Sequence, residues 1–113
     1  MTKINENVAI QFVKGETEKD HPEIRLFRNI DGKKGQAIYK FYEPKTITLE
    51  NFSLIQRMYL IDEEGILSTR KIDLSISDKN IMEVKSTYNW NSDKEFERFM
   101  RFAKRYANSL TNN

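Results

Sequence analysis

Three consecutive carboxylates, Asp62-Glu63-Glu64, form the densest acidic cluster in this 113-residue sequence. Carboxylates can bind a hard cation or move protons in acid–base catalysis. Consecutive residues in a turn point apart, however, whereas a cation needs several oxygens converging on one point. Gly65 follows the trio and apolar runs flank it, so it reads as the solvated tip of a β-hairpin. The single histidine, His21, follows Glu18, Lys19 and Asp20 in what reads as an exposed charged loop. No serine sits in a nucleophile-elbow setting, and no Gly-rich phosphate loop is present. The absence of cysteine excludes disulfides, thiolate metal sites and cysteine nucleophiles. This inventory builds no catalytic centre and no metal or cofactor site. A non-enzymatic binding module is the expectation.

The arginines are more informative. Arg28 follows Ile24 and Leu26 in strand register, and Arg70 precedes Ile72 and Leu74, so both belong to otherwise apolar faces. Each is either a paired arginine at a sheet margin or an interface residue, a type enriched at contact hot spots. Arg98, Arg101 and Arg105 share one side of a helix, either as a solvated face or as a surface for an anionic partner. Arg25 and Phe27, Arg28, Tyr39, Lys40 and Tyr42 interleave basic and aromatic groups, the composition of a stacking platform for nucleic acid.

These residues need elements to hold them. The clearest is C-terminal: Ser92-Asp-Lys-Glu95 is a capping box. After it Phe96, Phe99, Met100, Ala103, Tyr106, Ala107 and Leu110 recur as one apolar stripe. Phe102 lies outside that stripe and needs a second surface to cover it. Upstream the pattern is β: Val8 to Val13, Glu23 to Ile30, Gln36 to Tyr42, Leu54 to Ile61, a return strand from Ile66 to Ile76, and Ile81 to Tyr88. Leu54, Met58 and Leu60 fall on one face of the fourth of these, and Ile55, Tyr59 and Ile61 on the other, the mark of a central strand. Residues 1–7 are polar and are expected to be disordered, which leaves 8–110 as one domain. The expected fold is α+β: a twisted, sandwich-like antiparallel sheet of five to six strands, covered by the C-terminal amphipathic helix.

Bulk composition narrows the setting. Apolar runs reach only about four residues, far below the roughly 20 that span a bilayer. The N-terminus lacks the apolar core of a signal peptide and carries an acid that transit peptides avoid, so the protein is expected to stay where it is made. A formal net charge of +2 is too small to argue for nucleic acid by itself.

The ordered set Pro22-Glu-Ile-Arg-Leu-Phe-Arg28, Met58-Tyr-Leu-Ile-Asp-Glu-Glu-Gly-Ile-Leu-Ser-Thr-Arg70 and Glu97-Arg-Phe-Met-Arg-Phe-Ala-Lys-Arg-Tyr-Ala107 resembles the Psb28 family of small photosystem II assembly proteins. The resemblance runs from about Ile10 to Ala107. It implies a transient assembly factor with no pigment, metal or cofactor. The implied partners are the reaction-centre core and the chlorophyll-binding inner-antenna subunit. The implied place is the cytoplasmic, or plastid stromal, face of the thylakoid membrane, held peripherally. Binding by β-strand addition follows from the same resemblance, and the arginines on strand and helix, which have no evident local partner in the sequence, lead to the expectation that Arg25, Arg28, Arg98, Arg101 and Arg105 steer it. The sequence departs from the family where Gln56-Arg57 replaces a usual Thr-Gly, and in the strand 80–88. The rival from another class is the small nucleic-acid-binding β-module.

Overall fold

Alternation is strongest at Ala37-Ile-Tyr-Lys-Phe41, and strand β4 (Gly35–Tyr42) forms there with Ala37, Tyr39 and Phe41 buried. In the computed structural model, which describes residues 8–31 and 33–111, eight strands precede one helix. They are β1 (Ala9–Val13), β2 (Glu16–Thr17), β3 (Glu23–Arg28), β4, β5 (Met58–Asp62), β6 (Gly65–Thr69), β7 (Lys71–Ser77) and β8 (Asn80–Trp90), followed by α1 (Asp93–Thr111). Residues 1–7, expected to be disordered, lie outside the described residues.

The architecture is the expected α+β one, with the strands divided between two antiparallel sheets. Their orders are β2-β1-β5-β6 and β3-β4-β8-β7. The predicted return strand from Ile66 to Ile76 therefore serves both sheets: β6 pairs with β5, and β7 pairs with β8. The corner between them is Arg70, which is exposed. Thr69 holds that corner, its Oγ1 donating to the Thr87 carbonyl at 2.6 Å and accepting from the Lys71 N–H at 3.2 Å. Such corners let two sheets share one chain and one core.

Side chains directly opposite in antiparallel pairs lie on the same face. Ile10, Leu60 and Leu67 thus form one inward row of the first sheet, and Phe41, Val84 and Leu74 one of the second. Phe12 meets Phe41 edge-on at 5.1 Å and joins the two layers. The first hairpin strand begins at Met58 rather than Leu54. Leu54 closes a 3₁₀ turn, Phe52–Leu54, and is 76% exposed.

Helix α1 touches β5 and β8, one strand from each sheet. Its capping box forms as read: Ser92 Oγ accepts from the Glu95 N–H at 3.1 Å, and Glu95 Oε1 accepts from the Asn91 N–H at 2.9 Å. Phe99 packs on Trp90 at 5.2 Å, Tyr88 at 5.4 Å and Tyr39 at 6.4 Å. The buried side of the helix is rotated from the predicted stripe. Phe102 is fully buried within this chain and stacks on Tyr106, whereas Ala107 is exposed.

Candidate protein-binding surface

The β5 alternation Met58, Leu60 continues to Asp62, so this carboxylate points into the molecule. Its side chain has no exposed surface. Arg98 grips it with two bonds, Nη1 to Oδ2 at 2.9 Å and Nη2 to Oδ1 at 2.7 Å, and Arg105 Nη1 adds a third at 2.9 Å. Glu64 receives Arg101 through Nε at 2.7 Å and Nη2 at 2.9 Å, with Arg105 also bound, and Glu63 lies 3.7 Å from Arg105. Burial would raise the Asp62 carboxyl, but the guanidinium hydrogen bonds of Arg98 and Arg105 outweigh it and hold it below its ordinary value. The Arg101 and Arg105 bonds lower Glu64 to about 2.

Two expectations are corrected here. The hairpin tip is exposed at Glu63, Glu64 and Gly65 as read but buries Asp62, and Arg98, Arg101 and Arg105 are not a face without local partners. The tip and the helix arginines neutralise each other across a tertiary contact. The signal was present in the sequence: Asp62 continues an inward alternation, and Arg98 and Arg105 are two helical turns apart on one side.

The strand arginines are placed differently. Arg25 lies 3.8 Å from Glu23 on the outer face of the sheet, and its side chain is 65% exposed. Arg28 sits on the inner face, its guanidinium 3.9 Å from the Phe96 ring centroid and 3.9 Å from Asp93. Both belong to β3, which ends its sheet and is exposed at all six positions. Ile24 and Leu26 oppose the buried Tyr39 and Ala37, yet they remain 40% and 46% exposed because β3 forms the margin of that face.

The other three sheet edges are less open. Strand β2 has two residues and a register shift beside it, β7 carries a register shift at Ser75/Ile76, and β6 packs against β8. Strand β3 pairs with β4 in unbroken register and contains no proline. A regular edge of this kind leaves alternate N–H and C=O groups open to another strand.

The aromatic platform of the nucleic-acid reading is only partly gathered. Tyr39 is 1% exposed and faces inward with Arg28, whereas Arg25, Phe27, Lys40 and Tyr42 face outward. Among the described residues, no group of three or more metal-ligating side chains is gathered, and no helix is long and apolar enough to cross a membrane. Sequence reasoning also missed Glu18. Placed in a charged loop, it is 6% exposed and accepts a hydrogen bond from Thr46 Oγ1.

Comparison with known proteins gives one family. The family model described as Psb28 protein matches residues 10–111. A Prochlorococcus marinus (strain NATL2A) protein named photosystem II reaction center Psb28 protein is 78% identical over the whole of both chains. Proteins of the same name from Prochlorococcus marinus (strain MIT 9211) and Synechococcus sp. (strain CC9311) are 46% and 43% identical. Each aligns over 89% of this chain, covering 86% and 79% of the relatives respectively.

Proposed function

The chain belongs to the Psb28 family, and from that membership we propose that it is a non-enzymatic assembly factor of photosystem II. It binds assembly intermediates transiently, over the reaction-centre core and the chlorophyll-binding inner-antenna subunit. It works peripherally, on the cytoplasmic or stromal face of the thylakoid membrane, and needs no cofactor. Residues 8–110 act as one unit.

The open edge of β3 carries this reading. A partner segment adds to it as a further strand, so that main-chain hydrogen bonds supply affinity and alternate side chains supply specificity. Ile24 and Leu26 offer apolar contact on one face, and Arg25 and Phe27 frame the other. Arg25 and Arg28 steer the approach of an acidic surface. Arg98, Arg101 and Arg105 contribute indirectly, by holding the β5–β6 hairpin against the helix.

A binding titration on isolated thylakoid complexes at two salt concentrations tests this. Proline at Arg25 and proline at Leu26 remove in turn a donor facing β4 and one facing outward. The variant losing the outward donor is expected to stay folded and lose binding. Arg25→Glu with Arg28→Glu is expected to weaken binding and flatten its salt dependence, because exposed charges act mainly on the association rate. Wild-type binding by both folded proline variants would eliminate strand addition at β3.

A further inference from the structure

The first sheet carries a cavity of about 210 Å³ where β1 closes and β5 opens. Phe12, Val13 and Tyr59 line it from the strands, and Leu54 and Ile55 from the 3₁₀ turn and its end. Phe12 is buried and belongs to the core, whereas Leu54 is left in water. The turn is braced from within. Asn51 Oδ1 accepts from the Thr48 N–H at 2.8 Å, and Asn51 Nδ2 donates to the Thr46 carbonyl at 2.9 Å. That wall is formed before any ligand arrives, which lowers the ordering cost of binding.

The charges around this hollow have one sign. Among the described residues that line it, Lys14 alone is charged, its Nζ 5.7 Å from the Tyr59 ring centroid. Arg57 lies alongside on the outer face: its Nη1 donates to Ser68 Oγ at 3.1 Å, and Ser68 stands opposite Tyr59. Among the described residues neither cation pairs with a carboxylate.

An apolar hollow with an uncompensated positive rim is complementary to an apolar group that has anions beside it. We propose that it seats a single large apolar side chain from an acidic segment of a partner protein. A cavity of about 150 Å³ admits a benzene ring, so this one takes a phenylalanine or leucine side chain. That side chain leaves water against Phe12, Val13, Ile55 and Tyr59, while flanking carboxylates meet Lys14 and Arg57. A lipid surface fits less well. Of the apolar residues lining the cavity Leu54 alone is exposed, and membrane attachment needs a broad apolar face. The contact lies on the first sheet and does not depend on strand addition at β3, which belongs to the second.

The probe is acetyl-Glu-Phe-Glu-amide, followed by amide NMR on the full chain. Shifts are expected to saturate at Phe12 to Lys14 and at Leu54 to Tyr59. The Glu-Ala-Glu peptide should bind at least about tenfold more weakly, because the buried ring is gone. Lys14→Gln should weaken binding about threefold, the worth of an exposed ion pair, and reduce its salt dependence. Lys14→Glu should move the preference towards the Lys-Phe-Lys peptide, a change that damage to the fold would not produce. Equimolar phosphatidylglycerol–phosphatidylcholine vesicles form the comparison arm. Equal binding of the alanine peptide, saturating shifts elsewhere, an unmoved preference in Lys14→Glu, or a response to vesicles alone would each overturn the proposal.

Discussion

Asp62 and Arg98 meet through two parallel hydrogen bonds of 2.9 and 2.7 Å, 36 residues apart in sequence, with no exposed surface on the Asp62 side chain. This contact fastens the β5–β6 hairpin to α1, and Arg105 doubles it. Removing one member of a buried pair strands the other, which costs about 3–5 kcal/mol. Asp62→Ala is expected to lose that much in a denaturant titration. Arg101→Ala removes an exposed partner and is expected to lose under about 1 kcal/mol.

The same lattice sets the acid limit of stability. Glu64 titrates near 4.5 when unfolded and at about 2 when folded, and Asp62 is also lowered. Folded-state values below the unfolded ones mean that the stabilisation is fully present above about pH 4.5 and is lost as pH falls towards about 2. Thermal melts between those limits should show the loss, and Glu64→Gln should flatten the profile. Equal slopes in both proteins would show that the lattice does not couple to folding.

Glu18 acts in the opposite direction. Its folded value is raised by burial above the ordinary 4.5, so stability declines as pH rises from 4.5 through the folded value and is level above it. Glu18→Gln should remove this decline, measured as the difference between the two stability curves.

The helix anchors on aromatic packing. Phe99 and Phe102 are both fully buried, so Phe99→Ala and Phe102→Ala should each cost about 3–5 kcal/mol by chemical denaturation. A small loss at Phe102 would show that its site collapses without it.

Gly35 is the tightest point of the second sheet. A Cβ there would stand 2.3 Å from the Phe27 carbonyl oxygen and 2.6 Å from the Trp90 ring. Gly35→Ala should destabilise by about 1–3 kcal/mol, the usual cost of overpacking. Faster amide exchange along β3 would locate the damage at the β3–β4 pairing.

Local chemistry determined much of this protein in advance. The Ser92–Glu95 cap and the β4 alternation are decided by contacts within a few residues, and each stands where the sequence put it. The ordered segments that carry the family resemblance were equally legible, because they are themselves sequence. Tertiary structure decided what meets Asp62 and where Glu18 and Phe102 point. Alternation turns Asp62 inward, but it does not reveal that the surface meeting it is a helix arriving 36 residues later. The break at Arg70, which sends one apolar run into two sheets, was hidden for the same reason. Alternation fixes which residues share a face, but the facing surface is chosen by parts of the chain that no local pattern can see.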